Sequence, residues 1–493
     1  MTLQDLLKDI YPAYLSRPWA ERPILLITCD SRQAQENSLF VALSGTTHDG
    51  RDFIDEALKK GASVVVTDHK APPLADSLKG RILRVDDPRD FLKKILIRFY
   101  GDPSQRVKTI GITGTNGKTT ITYLLESIMT QAGFRCAVIG TINTRLGEKI
   151  LSSKNTTPGL VENCALLKDF QKSGAQYCAM EVSSHALSQG RVDLIDFRAG
   201  VFTNLTGDHL DYHRDMEDYF AAKSKLFLGL SRLAVAVLNG DDPFGRKLMN
   251  MTEARRMTYG LSRSVDVTAV DIDHQLSHSS FTLKTYEGSL SIVTKLIGQH
   301  NIYNILAAAA VCLSQGIGLK EIKKGIEYVP SVPGRLESIC CGQDFHVFVD
   351  YAHTEDALRN VLGSLRKISP ARIILVFGCG GNRDPSKRPK MGVVACDLAD
   401  WSIMTSDNPR NEDPQSIVDQ ILSGCSKDNY EVILNREEAI RRALALAEKG
   451  DVVVLAGKGH EDYQIFKDRT IHFDDREVVR KYFAMASNQT PIE

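Results

Sequence analysis

The stretch GITGTNGKTT, residues 111–120, decides the fold. It completes the apolar run KTIGIT and precedes a helical pattern, so it predicts a turn between a β-strand and an α-helix, as in α/β nucleotide-binding domains. Glycines at 111, 114 and 117 allow backbone N–H groups to point inward around phosphates, and the following helix offers its positive N-terminal end. Lys118 can reach the β- and γ-phosphates of a nucleotide, and Thr119 can ligate Mg²⁺. The residues predicted to hold the nucleotide are Gly114, Thr115, Asn116, Gly117, Lys118, Thr119 and Thr120.

The loop departs from the strict phosphate-loop pattern at one position. Ile112 occupies the place of the first glycine, five residues before Gly117. The alternative is a glycine-rich turn that only joins a strand to a helix. The GKTT ending and the strand–helix context favour the phosphate loop.

Length and composition bound the class of protein. The chain has 493 residues, too many for one core, which suggests about three domains. Its 61 basic residues balance 61 acidic ones, which argues against a general nucleic-acid or membrane-surface binder. The N-terminus MTLQDLLKDI lacks the pattern of a signal peptide, and no apolar run approaches the ~20 residues of a membrane helix. The cysteines form no C-x-x-C pair, so we predict reduced thiols and a cytoplasmic protein with neither a membrane nor a nucleic-acid partner.

Three segments can be distinguished along the chain. Residues 1–105 contain short strand-like runs such as SLFVALSG, and GDPSQRVK at 101–108 is typical of a linker. Residues 106–332 begin with the phosphate loop and include ILAAAAVCL, which predicts a buried helix. A second break falls at SVPGRLES, and residues 333–493 follow it. The predicted fold class is α/β, in three domains.

Strand and helix patterns alternate in the last segment. RIILVFG, WSIMTSD and EVILN each lead through a loop to a helix, and DVVVLAG leads to KGHEDY. For the third helix we predict Asn435 as the N-cap and Gly450 as the stop. The alternation predicts a parallel sheet with helices on both faces, whose strands end at one edge, where ligands bind. Arg383, Asp407–Arg410 and Gly457–Glu461 should therefore line one crevice.

A further group of polar residues lies downstream of the phosphate loop. Glu181 follows the strand-like YCAM, and His209 stands in TNLTGDHLDYH. With Thr119 they fit two Mg²⁺ ions, because Mg²⁺ prefers oxygen ligands and is shared with substrate phosphates. Taken singly, a glutamate is usually a solvated charge and a histidine usually structural, and both alternatives stay open. Lys223 and Lys225 are typical of surface lysines, and a lysine beside two metal ions would be repelled unless it were neutral or chemically altered.

Motifs along nearly the whole chain, from about residue 25 to about residue 465, resemble those of one family. They occur in the order GTNGKTT, NTTPG, EVSSHAL, TNLTGDHLDYH, AAKSKLF, GQHNIYNILAA, PGRLE, DYAHTEDAL, GNRDPSKRPKMG, DNPR and AGKGHE. This series resembles the Mur ligases of peptidoglycan synthesis, and within them the members that add diaminopimelate as the third amino acid. The resemblance implies an N-terminal UDP-binding domain, a central P-loop ATPase domain and a C-terminal Rossmann-like domain for the incoming amino acid.

The resemblance also implies the reaction and its cofactors. ATP would convert the side-chain carboxylate of D-glutamate in UDP-N-acetylmuramoyl-L-alanyl-D-glutamate into an acyl phosphate, which the amine of meso-2,6-diaminopimelate attacks. Two Mg²⁺ ions are expected, and a carbamate on Lys223, because the family carbamylates the lysine of A-K-x-x-L-F; this anion removes the repulsion from the metal ions. The implied catalytic residues are Lys118, Glu181, His209 and Lys223, and the implied metal residues are Thr119, Glu181, His209 and Lys223. The protein is expected to be a monomer.

The other site residues follow from the resemblance by position. Those expected at the uridine diphosphate are Cys29, Ser31, Thr46, Thr47 and His48. Those expected at the muramoyl dipeptide are Asn155, Thr156, Thr157, Ser183, Gln189 and Arg191. Those expected at ATP, besides the phosphate loop, are Asn301, Arg335 and Asp350. Those expected at diaminopimelate are Arg383, Asp407, Asn408, Pro409, Arg410, Gly457 and Glu461.

Two positions depart from the family pattern. Glu355 stands where proline is usual, so the loop after His353 should be less rigid. Cys29 occupies a variable position, so its contact should run through the backbone.

Two other functions stay open at this stage. Folylpolyglutamate synthase shares the ATPase architecture and the reaction type, but it has no use for a UDP-binding segment such as residues 1–105. A P-loop switch or binding module would hydrolyse ATP without a second substrate, and the many distinct polar loops of the last segment disfavour it.

The run DNPR, residues 407–410, indicates the substrate within the resembled family. Pro409 cannot continue a central strand, so Arg410 hangs at the strand's end. Diaminopimelate differs from lysine by a second amino-acid head, and a guanidinium offers paired donors for the extra carboxylate. Asp407 and Asn408 can accept from the neighbouring ammonium. Taken alone, the tetrapeptide is typical of a turn with a solvated arginine.

Overall fold

The computed structural model describes residues 1–11, 20–45, 48–71, 80–207 and 212–487, with side chains as far as residue 485. The chain divides into two compact units. The first comprises Met1–Thr109, Thr157–Cys178 and His185–Phe197, and the second comprises Ile110–Thr156, Ala179–Ser184 and Arg198–Glu493. Within the described ranges, no helix has the length and apolar character needed to cross a bilayer. All ten cysteines are free thiols, as predicted.

The first unit contains a parallel sheet of four described strands in the order β1–β2–β3–β4. The strands are β1 Leu26–Thr28, β2 Ser38–Val41, β3 Val64–Thr67 and β4 Ile82–Arg84. The helices are α1 Leu3–Leu7, α2 Ile54–Lys59, α3 Pro88–Tyr100 and, from later in the chain, α5 Leu160–Lys172. Leu39 and Phe91 belong to the apolar cluster on one face of the sheet, whereas Phe40 and Leu58 belong to the other. Because both faces of the sheet are covered, β2 has apolar residues pointing to both faces and not only to one.

The second unit begins with a sheet of eleven described strands, in the order β15–β14–β13–β12–β11–β10–β5–β9–β6–β7–β8. The strands are β5 Lys108–Thr113, β6 Cys136–Ile139, β7 Asn143–Leu146, β8 Lys149–Ser152, β9 Tyr177–Glu181, β10 Phe197–Phe202, β11 Val235–Asn239, β12 Arg255–Gly260, β13 Val267–His274, β14 Ser279–Thr285 and β15 Gly288–Thr294. Strands β10 to β13 pair in parallel, whereas β13 to β15 and β6 to β8 pair antiparallel.

The helices around this sheet position the phosphate loop. They are α4 Lys118–Gln131, α7 Met216–Leu228, α8 Pro243–Met249, α9 Gln299–Ser314 and α10 Leu319–Tyr328. The short helix α6 Ser184–Ser188 begins in the second unit and continues into the first. The predicted strand–loop–helix is confirmed, with β5 before the loop and α4 after it. The run ILAAAAVCL lies in α9 and is buried throughout, as predicted, which explains why it is apolar on all sides.

A six-stranded sheet follows in the order β16–β17–β21–β18–β19–β20. Its strands are β16 Glu337–Ser338, β17 His346–Asp350, β18 Ile373–Phe377, β19 Trp401–Met404, β20 Tyr430–Val432 and β21 Val452–Ala456. The predicted parallel sheet is confirmed for the last five strands of this order, and the antiparallel edge strand β16 is an addition. A hairpin, β22 Tyr463–Ile465 and β23 Thr470–His472, lies outside this sheet.

Helices cover both faces of this sheet, as predicted. They are α11 Glu355–Ile368, α12 Lys387–Leu398, α13 Pro414–Leu422, α14 Arg436–Leu446 and α15 Asp475–Ser487. Leu375 packs in the same cluster as residues of α11, α12 and α13, whereas its neighbour Ile374 packs in the cluster that holds residues of α14 and α15. Successive strand residues point to opposite faces, so a strand covered on both sides reads as a continuous apolar run.

The prediction for α14 was right at its start and wrong at its end. The Asn435 side chain caps the helix by accepting from the N–H groups of Glu437 at 3.0 Å and Glu438 at 3.3 Å. The helix ends at Leu446 rather than near Gly450, because Ala447 is extended and the N–H of Glu448 donates to Asp451 Oδ2 at 2.8 Å.

Candidate active site

A cavity of about 740 Å³ lies within the second unit at the phosphate loop. The loop and the first turn of α4 form one wall, and the ends of β9 and β10 form another. Helices α7, α9 and α11 and the loop after β17 complete it. The sequence-predicted residues that line it are Thr115, Asn116, Gly117, Lys118, Thr119, Thr120, Thr156, Glu181, Ser183, Lys223, Asn301, Arg335 and Asp350.

Two glycines of the phosphate loop are required by its backbone. Gly114 has φ +143° and Gly117 has φ +90°, conformations that favour glycine. A Cβ on Gly114 would lie 1.8 Å from Thr203 Oγ1, and one on Gly117 would lie 2.3 Å from Asn304 Oδ1. Neighbouring side chains therefore pack directly onto the loop backbone and hold its shape.

Two lysine ammonium groups reach the same part of the loop. Lys118 Nζ donates to the carbonyl oxygens of Gly114 at 2.9 Å and Thr115 at 2.8 Å. Lys223 Nζ donates to the same Gly114 oxygen at 2.8 Å and lies 4.5 Å from the centre of the Tyr219 ring. The two lysines therefore reach the loop from separate helices, α4 and α7, and the Lys118 charge suits a polyphosphate.

Glu181 forms the polar centre of the cavity. Its Oε1 accepts from Thr119 Oγ1 at 3.0 Å and from the N–H of Thr141 at 2.9 Å, and its Oε2 accepts from Thr141 Oγ1 at 2.9 Å. Arg335 Nη2 donates to Thr119 Oγ1 at 3.3 Å. The Glu181 carboxylate and the Thr119 hydroxyl are hydrogen-bonded to each other, and their oxygens are ligands that fit Mg²⁺. Mg²⁺ usually binds one or two carboxylates together with substrate phosphates.

The predicted metal residue His209 lies outside the described residues. In the part of the chain that is described, no group of three or more His, Cys, Asp or Glu side chains could hold a metal ion. Lys223 is the fourth predicted metal residue, and its side chain is buried whereas Lys225 is exposed. A carbamate on Lys223 fits this environment, because a carbamate nitrogen keeps one N–H, which suffices for the bond to Gly114.

His213 is a residue of this region that the sequence did not single out. Its Nε2 lies 2.9 Å from Ser184 Oγ, and its ring lies 5.0 Å from the Tyr219 ring. Tyr219 in turn faces Lys223, so His213 connects the chain after β9 to the helix that carries the lysine. The sequence does contain a signal for His213, because TNLTGDHLDYH has two histidines, His209 and His213.

The three residues expected at ATP beyond the loop are all engaged within the protein. Asn301 Oδ1 accepts from Asn304 Nδ2 at 3.1 Å. Asp350 accepts from the N–H groups of Leu336 at 2.7 Å and Ala352 at 2.8 Å. Burial raises the pKa of the Asp350 carboxyl, and the nearby Arg335 opposes that shift. Asp350 thus fixes the segment that brings Arg335 to Thr119.

The residues expected at the muramoyl dipeptide are divided between the two units. In the second unit, Thr156 Oγ1 lies 3.1 Å from Thr141 Oγ1, Ser183 lines the cavity and Asn155 is exposed. In the first unit, Thr157, Gln189 and Arg191 form one network. Arg191 donates from Nη1 to the carbonyl oxygen of Thr157 at 3.0 Å and from Nη2 to Gln189 Oε1 at 2.7 Å.

The residues expected at the uridine diphosphate belong to the first unit. Ser31 Oγ donates to Glu56 Oε2 at 2.7 Å, Cys29 is half-buried, and His48 is exposed beside the ring of Phe53. Thr46 and Thr47 lie outside the described residues.

The carboxyl ends of β18, β19 and β21 meet at one edge of the six-stranded sheet, as predicted. Asn408 Nδ2 donates to Glu461 Oε2 at 2.8 Å, although the two residues are 53 positions apart. A Cβ on Gly457 would lie 2.8 Å from Asp407 Oδ2. A Cβ on Gly380 would lie 3.0 Å from Arg410 Nη1 and 3.8 Å from Arg383 Cγ. All the predicted diaminopimelate residues therefore gather at this edge.

The DNPR run is held by contacts that the sequence did not reveal. Asn408 Oδ1 accepts from the N–H of Ile465 at 2.9 Å, and Gln464 Nε2 donates to the carbonyl oxygen of Asp407 at 2.7 Å. Pro409 is buried, and Arg410 adopts φ +53°. The Asn408 carboxamide is thus used at both ends, so a contact of its oxygen with a ligand ammonium would need the second lone pair and stays a prediction.

Three family models match the chain. They are described as "Mur ligase family, catalytic domain" over residues 23–100, "Mur ligase middle domain" over 112–312 and "Mur ligase, glutamate ligase domain" over 334–459. The chain is 41% identical over 483 residues to the UDP-N-acetylmuramoyl-L-alanyl-D-glutamate–2,6-diaminopimelate ligase of Clostridium botulinum, covering 98% of this chain and 99% of that one. It is 44% identical over 488 residues to the ligase of the same name from Geobacillus kaustophilus, covering 97% and 99%.

The chain belongs to the Mur ligase family. The predicted family and the predicted three-domain α/β architecture are thereby confirmed. A solved structure of a UDP-N-acetylmuramoyl-L-alanyl-D-glutamate–2,6-diaminopimelate ligase is 32% identical, with a TM-score of 0.70, and the match covers 99% of this chain and 100% of that one.

More distant solved structures share the fold alone. The MurF ligase of Thermotoga maritima, solved in complex with ADP, is 18% identical, with a TM-score of 0.66 over 95% of this chain and 99% of that one. The folylpolyglutamate synthase of Mycobacterium tuberculosis, solved with ADP and AMPPCP, is also 18% identical, with a TM-score of 0.62 over 81% and 95%. Folylpolyglutamate synthase, the alternative function that the sequence left open, therefore shares the fold of this chain.

Proposed function

We propose that this Mur ligase adds meso-2,6-diaminopimelate to UDP-N-acetylmuramoyl-L-alanyl-D-glutamate, with cleavage of ATP and release of ADP and phosphate. The observation that carries the proposal is the identity of 41–44% over nearly the full length to ligases that bear this name. The site geometry supports the same reaction. The phosphate loop belongs to the same unit of the chain as the sheet edge that carries the acidic and basic side chains.

ATP is the nucleotide that the cavity is proposed to bind. Backbone N–H groups of the phosphate loop and the N-terminus of α4 would surround its phosphates, and Lys118 would turn from the loop carbonyls to the β- and γ-phosphates. Asn301, Arg335 and Asp350 are proposed to border the bound ATP. They line the same cavity as the loop, which supports this assignment.

Mg²⁺ is proposed to be held by Thr119 and Glu181, together with His209 and a carbamate on Lys223. When bound, the ion neutralises phosphate charge and polarises the transferring phosphoryl group. The carbamate would replace the ammonium charge of Lys223 by an anion while keeping one N–H for the Gly114 carbonyl. The family resemblance implies two such ions.

The chemical difficulty is to bring two anions together. A free carboxylate does not react with an amine at neutral pH, because oxide is a poor leaving group, so the carboxylate must first become an acyl phosphate. The carboxylate and the triphosphate repel each other. Lys118 and Arg335 lie on the cavity wall and would lower that repulsion and stabilise the charge on the transferring phosphoryl group. The amine then attacks the acyl carbon, and phosphate leaves from the tetrahedral intermediate.

The sheet edge of the C-terminal domain is proposed to hold the far end of diaminopimelate. Arg410 and Arg383 would receive its carboxylate, and Asp407 and Glu461 would receive its ammonium. Asp407 and Glu461 lie beside Gly457 and Asn408 respectively, which places both acids at one point of the edge.

Phosphate release tests the proposal. The purified protein is incubated with ATP, Mg²⁺ and UDP-N-acetylmuramoyl-L-alanyl-D-glutamate, with meso-diaminopimelate, L-lysine or no amino acid. We expect phosphate only with both co-substrates, and far more with diaminopimelate than with L-lysine. Release that needs neither co-substrate would indicate an ATPase switch, and a preference for L-lysine would refute the assigned amino acid.

We also propose that the enzyme acts as a monomer. Sedimentation velocity at working concentration tests this, and an active dimer with an inactive monomer would refute it.

A further inference from the structure

Lys458 is a buried lysine that has no role in the reaction proposed above. It lies between Gly457 and Glu461 in the loop after β21, and its side chain is 0% exposed. Lysine is almost never fully buried unless it is paired, because removing an ammonium from water is costly. A specific need for its charge therefore has to come from its surroundings.

Those surroundings contain the two acids at the sheet edge. Lys458 Nζ lies 3.4 Å from Glu461 Oε2, donates to the carbonyl oxygen of Tyr463 and lies 5.5 Å from the centre of that tyrosine ring. The same Glu461 oxygen accepts from Asn408 Nδ2 at 2.8 Å, and the N–H of Asn408 donates to Asp407 Oδ1 at 2.6 Å. A continuous chain of contacts thus joins Lys458 to Glu461, Asn408 and Asp407.

Asp407 opposes the ionisation of Glu461. Burial raises the pKa of the Glu461 carboxyl, the nearby Asp407 adds to the rise, and Lys458 acts against it. Two buried carboxylates at one site normally share a proton unless a cation compensates them. Lys458 contacts Glu461 directly, from the loop that carries Glu461 itself. The buried Arg436 also interacts with both acids, but it is paired with Asp475.

We propose that Lys458 is a positioning residue that keeps Glu461 ionised beside Asp407, so that the two acids together bind the distal ammonium of the incoming amino acid. The three charges sum to one negative charge, which one ligand ammonium neutralises. The ligand class is therefore an amino acid whose far end carries an ammonium beside its carboxylate. This inference rests on the proposed function and adds to it the group that selects the distal ammonium.

The test compares two nucleophiles that differ only at the distal centre. Diaminopimelate carries an ammonium there and 2-aminopimelate does not, whereas both keep the distal carboxylate and the reacting amine. The quantity measured is the ratio of kcat/KM for diaminopimelate to kcat/KM for 2-aminopimelate. Lys458→Met keeps the length of the side chain and removes its charge. We expect the ratio to fall by about tenfold or more, as expected for loss of one charge-assisted contact, with the KM for ATP within about twofold of wild type.

A double-mutant cycle identifies the route of the effect. Glu461→Gln mimics the protonated acid, so it should lower the ratio by itself, and adding Lys458→Met to it should change the ratio less than about twofold. Lys458→Arg retains the charge and should restore much of the ratio. Lys427→Met, an exposed lysine in the same domain, serves as the control and should leave the ratio unchanged.

An unchanged or higher ratio in folded Lys458→Met overturns the inference, and so does a fully additive cycle. If the methionine variant does not fold, Glu461→Gln and Lys458→Arg decide: an unchanged ratio in the first or a lost ratio in the second also overturns it. Wild-type protein that does not use diaminopimelate at all would instead refute the proposed function, so the two failures are distinguishable.

Discussion

Replacing Arg410 by lysine keeps the positive charge of the side chain and removes the paired N–H donors of the guanidinium. The guanidinium donates through Nη1 to the carbonyl oxygens of Gly381 at 2.9 Å and Asn408 at 3.5 Å. Neither Nε nor Nη2 donates to any residue in the described part of the chain. These two groups form one edge of the guanidinium and match the two oxygens of a carboxylate. Lysine keeps the positive charge and loses this paired edge.

The magnitude follows from the number of bonds lost. A carboxylate held by two donors would keep one with lysine, and a hydrogen bond to a charged group contributes about 1.5–3 kcal/mol. The KM for diaminopimelate should therefore rise roughly 10- to 150-fold. Arg410 does not line the cavity at the phosphate loop, so the KM for ATP should stay within about twofold.

The assay is steady-state phosphate release at saturating ATP and UDP-muramoyl dipeptide, with the concentration of diaminopimelate varied. L-Lysine is measured in parallel as the amine substrate. Because L-lysine lacks the distal carboxylate, its weak use should change little in Arg410→Lys. Arg232→Lys, at an arginine whose side chain is 82% exposed, is the matched control and should behave as wild type.

An unchanged KM for diaminopimelate in a folded Arg410→Lys protein would refute the assignment. An equal loss for diaminopimelate and L-lysine would also refute it, because it would mean that Arg410 supports the loop and does not read the carboxylate.

The remaining predictions concern the phosphate loop and its neighbours. Lys118→Ala should abolish phosphate release without lowering the unfolding midpoint by more than a few degrees, and normal turnover would remove the phosphate-loop assignment. Lys223→Ala should lose activity that short carboxylates such as formate partly restore, whereas the exposed Lys225→Ala should stay active; full activity of the first variant without rescue would contradict the carbamate. Gly117→Ala should lower the free energy of unfolding in urea by about 1–3 kcal/mol, because of φ +90° and a Cβ 2.3 Å from Asn304 Oδ1. Gly363→Ala, where an added Cβ meets nothing within 4 Å, is its control, and an undiminished stability of Gly117→Ala would contradict the loop geometry.

Local patterns in the sequence were sufficient for most of the fold. Asn435 could be predicted as a cap because capping depends on three neighbouring residues. The end of α14 could not, since it is set by the bond from Glu448 to Asp451 rather than by the glycine at 450. The edge strand β16 was not predicted because two residues carry no period.

The candidate site was predictable where the chemistry lies in one motif and not where it depends on tertiary contacts. Lys223 and Lys225 are indistinguishable as letters, but positions two apart on a helix face nearly opposite ways, and only Lys223 turns inward. The burial of Lys458 and the contact of Asn408 with Glu461 arise from loops that meet across the sheet edge. The spacing of residues along the sequence does not predict contacts between loops that are far apart in the chain.

Strand β21 has a consequence for biosynthesis. It lies between β17 and β18 in the middle of the six-stranded sheet, yet it is the last strand of that sheet along the chain. While the protein is being made, β17 and β18 therefore wait with open edges until residues 452–456 have left the ribosome. Truncation before β21 would leave β17 and β18 each with one unpaired edge, a state that favours aggregation and chaperone binding. The six-stranded sheet of the C-terminal domain can be completed only after β21 has been synthesised.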